Sequence, residues 1–232
     1  MSSDTSTIAG TGPNADIEMQ IDPTFQAGRV QVKPLEYTEP GKPGLGGHYY
    51  VDAISGALTG VGANGVIFSY QWTDSGYMAV LQRVSLVYYI TTAYGTAQMN
   101  DFELIFASAF TAAHTGGAAL TPSPKRRAAM AVNSAVADCR MASTAALGGG
   151  TLTLDSAGYK AVADGPPNVA IPTATLGVPR QELLLYDHKE FGQHPKILGR
   201  SEGFVVRMIT AMGASGVIKA MINAEWAEVR QY

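Results

Sequence analysis

Hydrophobic and polar positions alternate along much of this chain, in short runs set off by glycine and proline. In the run from Tyr77 to Thr92, Met78, Val80, Val84, Leu86, Tyr88 and Ile90 share one parity, with Arg83 and Ser85 on the other. In residues 101–110, Phe102, Leu104, Phe106 and Phe110 share a parity. In residues 216–229, Ile218, Ala220, Ile222, Ala224 and Trp226 point one way, and Lys219, Asn223 and Glu225 the other. A period of two with β-branched and aromatic residues is the pattern of a half-buried strand. Further strands are predicted at 17–21, 29–33, 49–54, 66–72, 182–188 and 203–210. The glycine-rich link Met212-Gly213-Ala214-Ser215-Gly216 suggests that the last two strands form an antiparallel hairpin.

Residues 126–147 are ambiguous. Their alanines favour helix, whereas Ala137, Cys139 and Met141 alternate with Asp138 and Arg140, and a strand is expected near 136–143. Residues 111–135 and 156–181 carry scattered proline and glycine. Each is either a long arm that orders against a neighbour or a segment holding a further strand. Residues 1–16 are rich in Ser, Thr and Gly and are expected to be a flexible arm. No internal repeat stands out. The expectation is an all-β, antiparallel, jelly-roll-like β-sandwich with long loops, occupying residues 17–232 as one domain behind that arm.

Composition narrows the function. Apolar residues make up 46% of the 232 and charged residues 15%, against about a quarter charged in ordinary domains. A sizeable core is available, and part of the surface suits burial under neighbours. The net charge of −3 lacks the basic excess of a phosphate-binding protein, so no nucleic-acid partner is expected. The lone Cys139 makes no intrachain disulfide. No stretch is long and apolar enough to cross a bilayer as a helix, and the first residues lack the basic and apolar regions of a signal peptide. Cytoplasmic synthesis and no membrane partner are therefore expected.

Candidate chemistry is sparse. Gly60-Val61-Gly62-Ala63-Asn64-Gly65 matches the letters of a dinucleotide fingerprint, but a strand-like run, Val66 to Trp72, follows where a helix is needed. A β-turn is the expected reading. His48, His114, His188 and His194 include no His-x-His or His-x-x-x-His pair of the kind that places two metal ligands on one face. A Ser/His/Asp triad is a spatial arrangement that sequence cannot exclude, but no G-x-S-x-G elbow is present. Cys139 reads as a small buried hydrophobe. Glu225 and Glu228 differ in parity and make no acid/base couple. Lys125-Arg126-Arg127 reads as a solvated loop or a contact for an acidic partner. Tyr49, Tyr50, Tyr70, Tyr77, Tyr88 and Tyr89 fit strand packing or, as the alternative, a sugar-stacking platform. The expectation is no enzyme, with no catalytic, cofactor-binding or metal-binding residue and no cofactor.

Several stretches together resemble uncharacterised structural proteins of tailed bacteriophages. They are Glu202-Gly203-Phe204-Val205-Val206-Arg207, Ala211-Met212-Gly213-Ala214-Ser215-Gly216, Ala224-Glu225-Trp226-Ala227-Glu228, and the region from Phe110-Thr111 to Leu147-Gly148-Gly149-Gly150-Thr151. The resemblance implies a virion protein of the capsid decoration (cement) type. It would contact the major capsid protein and copies of itself, as a homo-oligomer with a trimer expected, on the capsid surface. It does not imply the major shell subunit, whose long spine helix has no counterpart here. A carbohydrate-binding β-sandwich of a phage fibre or bacterial surface protein is the alternative from another class.

Overall fold

The computed structural model describes residues 45–96, 98, 100–125, 137–162, 181–189 and 195–230, together with three short strands nearer the start. The chain divides into two compact units, Met1–Leu45 and Gly46–Tyr232. In the first unit, β1 (Thr5–Thr7), β2 (Glu18–Ile21) and β3 (Gly28–Val30) form an antiparallel sheet in that order. Thr5–Thr7 lies inside the segment expected to be an arm, and the rest of that segment lies outside the described residues.

The strands that follow are β4 (Leu45–Ile54), β5 (Leu58–Thr59), β6 (Gly65–Trp72), β7 (Tyr77–Thr92) and β8 (Asp101–Ala112). Next come β9 (Ala118–Leu120), β10 (Ser123–Pro124), β11 (Ala137–Met141), β12 (Thr151–Leu154) and β13 (Tyr159–Val162). The last four are β14 (Gln181–Asp187), β15 (Lys196–Leu198), β16 (Gly203–Met208) and β17 (Val217–Arg230). Among the described residues every assigned element is a strand. One sheet runs β10-β4-β17-β7-β14, with β15 also on β7 and β5 on β17. The other runs β12-β8-β16-β6-β11-β9, with β13 also on β8. The two antiparallel sheets face each other across one apolar core, so the fold is a β-sandwich. Going from β4 to β6, β7 and β8, the chain changes sheet at each step.

The core is built from the inward positions of both sheets. Leu86, Ile222 and Trp226 from one sheet meet Phe68, Tyr70 and Phe204 from the other, all 0–1% exposed. Trp226 packs edge-on to Tyr70 at 5.0 Å between ring centroids, and Tyr70 stacks on Phe204 at the same distance. A second, smaller cluster lies on the outer side of the β8-containing sheet. There Val66, Leu152 and Leu154 pack against Ile105, Ala107, Phe110 and Val205. The central strand β16 is therefore buried on both faces, which fits the unbroken apolar run Phe204-Val205-Val206 better than alternation would. Gly203 begins that strand. A Cβ there would lie 2.0 Å from the carbonyl oxygen of Tyr70 and 2.9 Å from the Phe110 ring. Gly203→Ala is expected to cost about 1–3 kcal/mol through forced backbone displacement, read as a lower urea midpoint.

The expected terminal hairpin is not formed. β16 pairs with β6 and β8, whereas β17 lies in the opposite sheet between β4 and β7. The connecting residues 209–216 are long enough to cross the roughly 10 Å between packed sheets, and they are tied on the way. Asn64 N donates to Ile209 O at 3.4 Å, and Met212 N donates to Val61 O at 2.8 Å. Both strands have hydrophobic partners elsewhere that a hairpin would leave uncovered.

The alternation expected in β7 and β8 is reversed at a bulge in each. Glu225 pairs with Arg83 and Trp226 with Leu81, so Gln82 is the extra residue in β7. Ala79 and Leu81 therefore join Val84 and Leu86 in the core, in place of Met78 and Val80. In β8, Thr153 pairs with Ala109 and Leu154 with Ala107, leaving Ser108 extra. That moves Phe110 away from the face of Phe102, Leu104 and Phe106 into the smaller cluster. Leu185 is extra in β14, and both it and Tyr186 are buried. A bulge inserts one residue without a partner and so reverses the alternation beyond it. The strand expected near 136–143 is β11. The two unassigned stretches hold β9 and β10 in one and β13 in the other.

Candidate functional site

Polar side chains collect at two places in the sandwich. The first is the β7 bulge. His48, on β4, hydrogen-bonds the side-chain oxygen of Gln82 through Nε2. His188 hydrogen-bonds the backbone oxygen of Gln82 through Nδ1 at 3.1 Å, and its own N–H donates to that oxygen at 3.1 Å. Both rings act as donors here, because both partners are carbonyl oxygens. Gln82 is buried, and the two histidines take up its side-chain and backbone oxygens. Among the described residues no group of three or more His, Cys, Asp or Glu is placed to hold a metal ion. His194 lies outside the described residues.

The second place is the outer side of the β8-containing sheet. His114, just beyond β8, meets Ser69 Oγ of β6 through Nδ1 at 2.9 Å. Burial pushes the His114 pKa down, and the nearby Asp138 carboxylate opposes that shift. Ser69, His114 and Asp138 are thus neighbours, a grouping that no sequence spacing marks. Ser69 is 3% and His114 5% exposed, and Asp138 is engaged by Arg140 Nε at 3.2 Å. A serine nucleophile must reach its substrate and be deprotonated by its base. In this fold Ser69 Oγ is shut from solvent, and its role is to hold the imidazole. On the same side of the sheet Arg207 Nη2 meets Glu103 Oε2 at 2.6 Å, with the Glu103 side chain 5% exposed.

Cys139 is buried, and burial first, then the field of Asp138, pushes its thiol far above the usual range, so it carries no nucleophilic thiolate. Gly60 to Gly65 form a turn, with Gly65 N donating to Gly62 O at 3.0 Å and Gly60 and Asn64 each at φ 58°. β6 follows it directly, so no helix N-terminus meets that loop. Glu225 pairs with Lys125, whereas Glu228 is wholly buried, so the two carboxylates do face apart. Burial chiefly raises the Tyr70 phenol pKa, with smaller contributions from Cys139 and Glu228. Tyr49 and Tyr70 are 0% exposed and offer no stacking surface to a sugar, whereas Tyr50, Tyr77, Tyr88 and Tyr89 are partly buried, with the Tyr88 ring tilted against Phe102 at 5.2 Å. Lys125 N also donates to His48 O at 2.8 Å, while Arg126 and Arg127 lie outside the described residues.

A shallow hollow of about 340 Å³ opens between Gly95, Thr96 and Gln98 on one side and residues 213–215 on the other. Gly95 N donates to Ser215 Oγ at 2.7 Å across it, and Gly213 N to Gln98 Oε1 at 2.5 Å. Among the described residues its lining holds no ionisable side chain. The geometry defines a two-sheet antiparallel sandwich whose described polar clusters fasten strands and loops to one another. No family model matches the chain, and neither a curated protein sequence nor a solved structure is significantly similar to it.

Proposed function

We propose that the protein is a structural virion protein that binds and stabilises a bacteriophage capsid, as a decoration or cement protein without catalysis. The observation that carries this reading is how the chain spends its polar chemistry. Ser69–His114, His48–Gln82–His188 and Arg207–Glu103 lock the strands and loops of a large apolar sandwich to one another. Such a body resists deformation, which is what a clamp on a shell requires. The phage-like stretches around Glu202–Arg207 and Ala224–Glu228 fall on β16 and β17, the central strands of the two sheets. They supply the virion context. A net charge of −3 suits the outer capsid surface better than one lining packaged DNA, since a DNA-facing surface gains from cations.

In this reading the partners are the major capsid protein and further copies of the chain, arranged as a trimer. Closed symmetric assembly repeats each contact and so strengthens attachment without new chemistry. The test is co-sedimentation of purified protein with emptied capsids, alongside light scattering of the free protein. Saturable binding and a trimeric mass are expected. A monomer that leaves shells untouched, but binds glycans on an array, would replace this reading with the carbohydrate-binding one.

A further inference from the structure

We propose that His114 is an acid-sensitive latch, whose neutral ring locks the loop after β8 onto the loop before β12 and whose protonation releases both. The two loops meet through a backbone clip. Thr115 N donates to Gly148 O at 2.7 Å, Gly148 N to Thr115 O at 3.1 Å, and Thr115 Oγ1 to the same Gly148 oxygen at 3.1 Å. The His114 ring sits directly beside this clip. A Cβ on Gly150 would fall 2.5–2.7 Å from Cδ2, Nε2 and Cε1 of the ring, so the imidazole packs against bare backbone. On another side lies Phe110, edge-on at 6.2 Å between centroids. Ser69 Oγ holds Nδ1 at 2.9 Å.

The surroundings suit imidazole and not imidazolium. From β6 the ring meets a neutral hydroxyl, and from β8 and the β12 loop it meets Phe110 and Gly150, both uncharged. From β11 come Asp138, which acts through space, and Arg140, whose Nε binds that carboxylate at 3.2 Å. Arg140 Nη1 also reaches Gly116 O at 3.5 Å, which places a cation on the same loop. A proton on His114 would therefore be buried with one carboxylate nearby that is already paired. Burial holds its pKa below the ordinary 6.5, against the smaller pull of Asp138. A folded pKa below the unfolded one gives a contribution that is complete above about pH 6.5 and is lost as pH falls through the folded value.

What the latch guards is adjacent. Thr151, the first residue of β12, follows Gly150, and Leu152 and Leu154 of β12 pack against the cluster of Ile105, Phe110 and Val205. Releasing the clip frees residues 148–150 and the start of β12 and opens one side of that outward apolar patch, while Leu147 stays in the main core with its N–H on Val66 O at 2.8 Å. The latch is thus a route by which acid creates a hydrophobic contact surface.

Hydrogen exchange at about pH 7.5 and about pH 5, corrected for intrinsic rates, tests this. Residues 111–117 and 148–154 should lose protection about tenfold at the lower pH, while Leu147, β16 and β17 keep theirs. In His114→Asn, an amide can still donate to Ser69 but takes up no proton, so the pH dependence should vanish. Should that variant fail to fold, the ring signal of His114 in the native protein decides, since loop opening must share its titration midpoint. Equal protection at both pH values, unchanged pH dependence in His114→Asn, or an opening midpoint away from that titration would each overturn the proposal.

Discussion

Truncating Trp226 to alanine should cost about 3–5 kcal/mol of stability, the range for a fully buried indole. Trp226 has no exposed surface and stands between Tyr49, stacked at 6.3 Å, and Tyr70, edge-on at 5.0 Å. It pairs with Leu81 beside the Gln82 bulge, where the sheet bends. The cavity left behind would be lined by two large rings held by their own strands, so collapse around it is limited. Urea unfolding reads the effect as a lower midpoint with an unchanged slope. A midpoint equal to that of the native protein would remove Trp226 from its place as core anchor.

The second large effect concerns Arg207 and Glu103. Arg207→Ala is expected to destabilise by about 3 kcal/mol, because it strands the Glu103 carboxylate on a face where 5% of its side chain meets solvent. Replacing both residues by methionine should recover most of that loss, since a buried ion pair contributes little beyond what apolar packing of the same volume supplies. The pair cross-links the neighbouring strands β16 and β8, with Arg207 opposite Glu103 in register. A double-mutant cycle on urea midpoints measures the coupling. Additive single effects would show that the two side chains act independently and that the ion pair is incidental.

The strands were legible because their alternation is local. β17 reads directly from Ile218, Ala220, Ile222, Ala224 and Trp226, all of which lie in the core. Pairing was less legible. β16 and β17 are close in sequence, yet each finds its neighbours far away, and a glycine-rich link looks alike whether it closes a hairpin or crosses between sheets. The bulges were invisible for a simpler reason. Gln82, Ser108 and Leu185 have nothing in their chemistry that marks an inserted residue, so Val80 and Phe110 were assigned to the wrong side. The Ser69–His114 contact joins β6 to the loop after β8. Only the fold places that serine, imidazole and Asp138 together.

The position of β17 constrains how the protein comes into being. It is the last of the described strands in chain order, yet it lies in the middle of its sheet, between β4 and β7. While the polypeptide emerges during synthesis, both neighbours must wait with unpaired edges until residues 217–230 appear. Nearly every stabilising contact of that sheet's centre then forms at once, between segments far apart along the chain. Folding dominated by such distant pairings is slow and leaves sticky edges open. A nascent chain stalled before Val217 would be an aggregation hazard, and chaperone cover during that interval is what such a topology calls for.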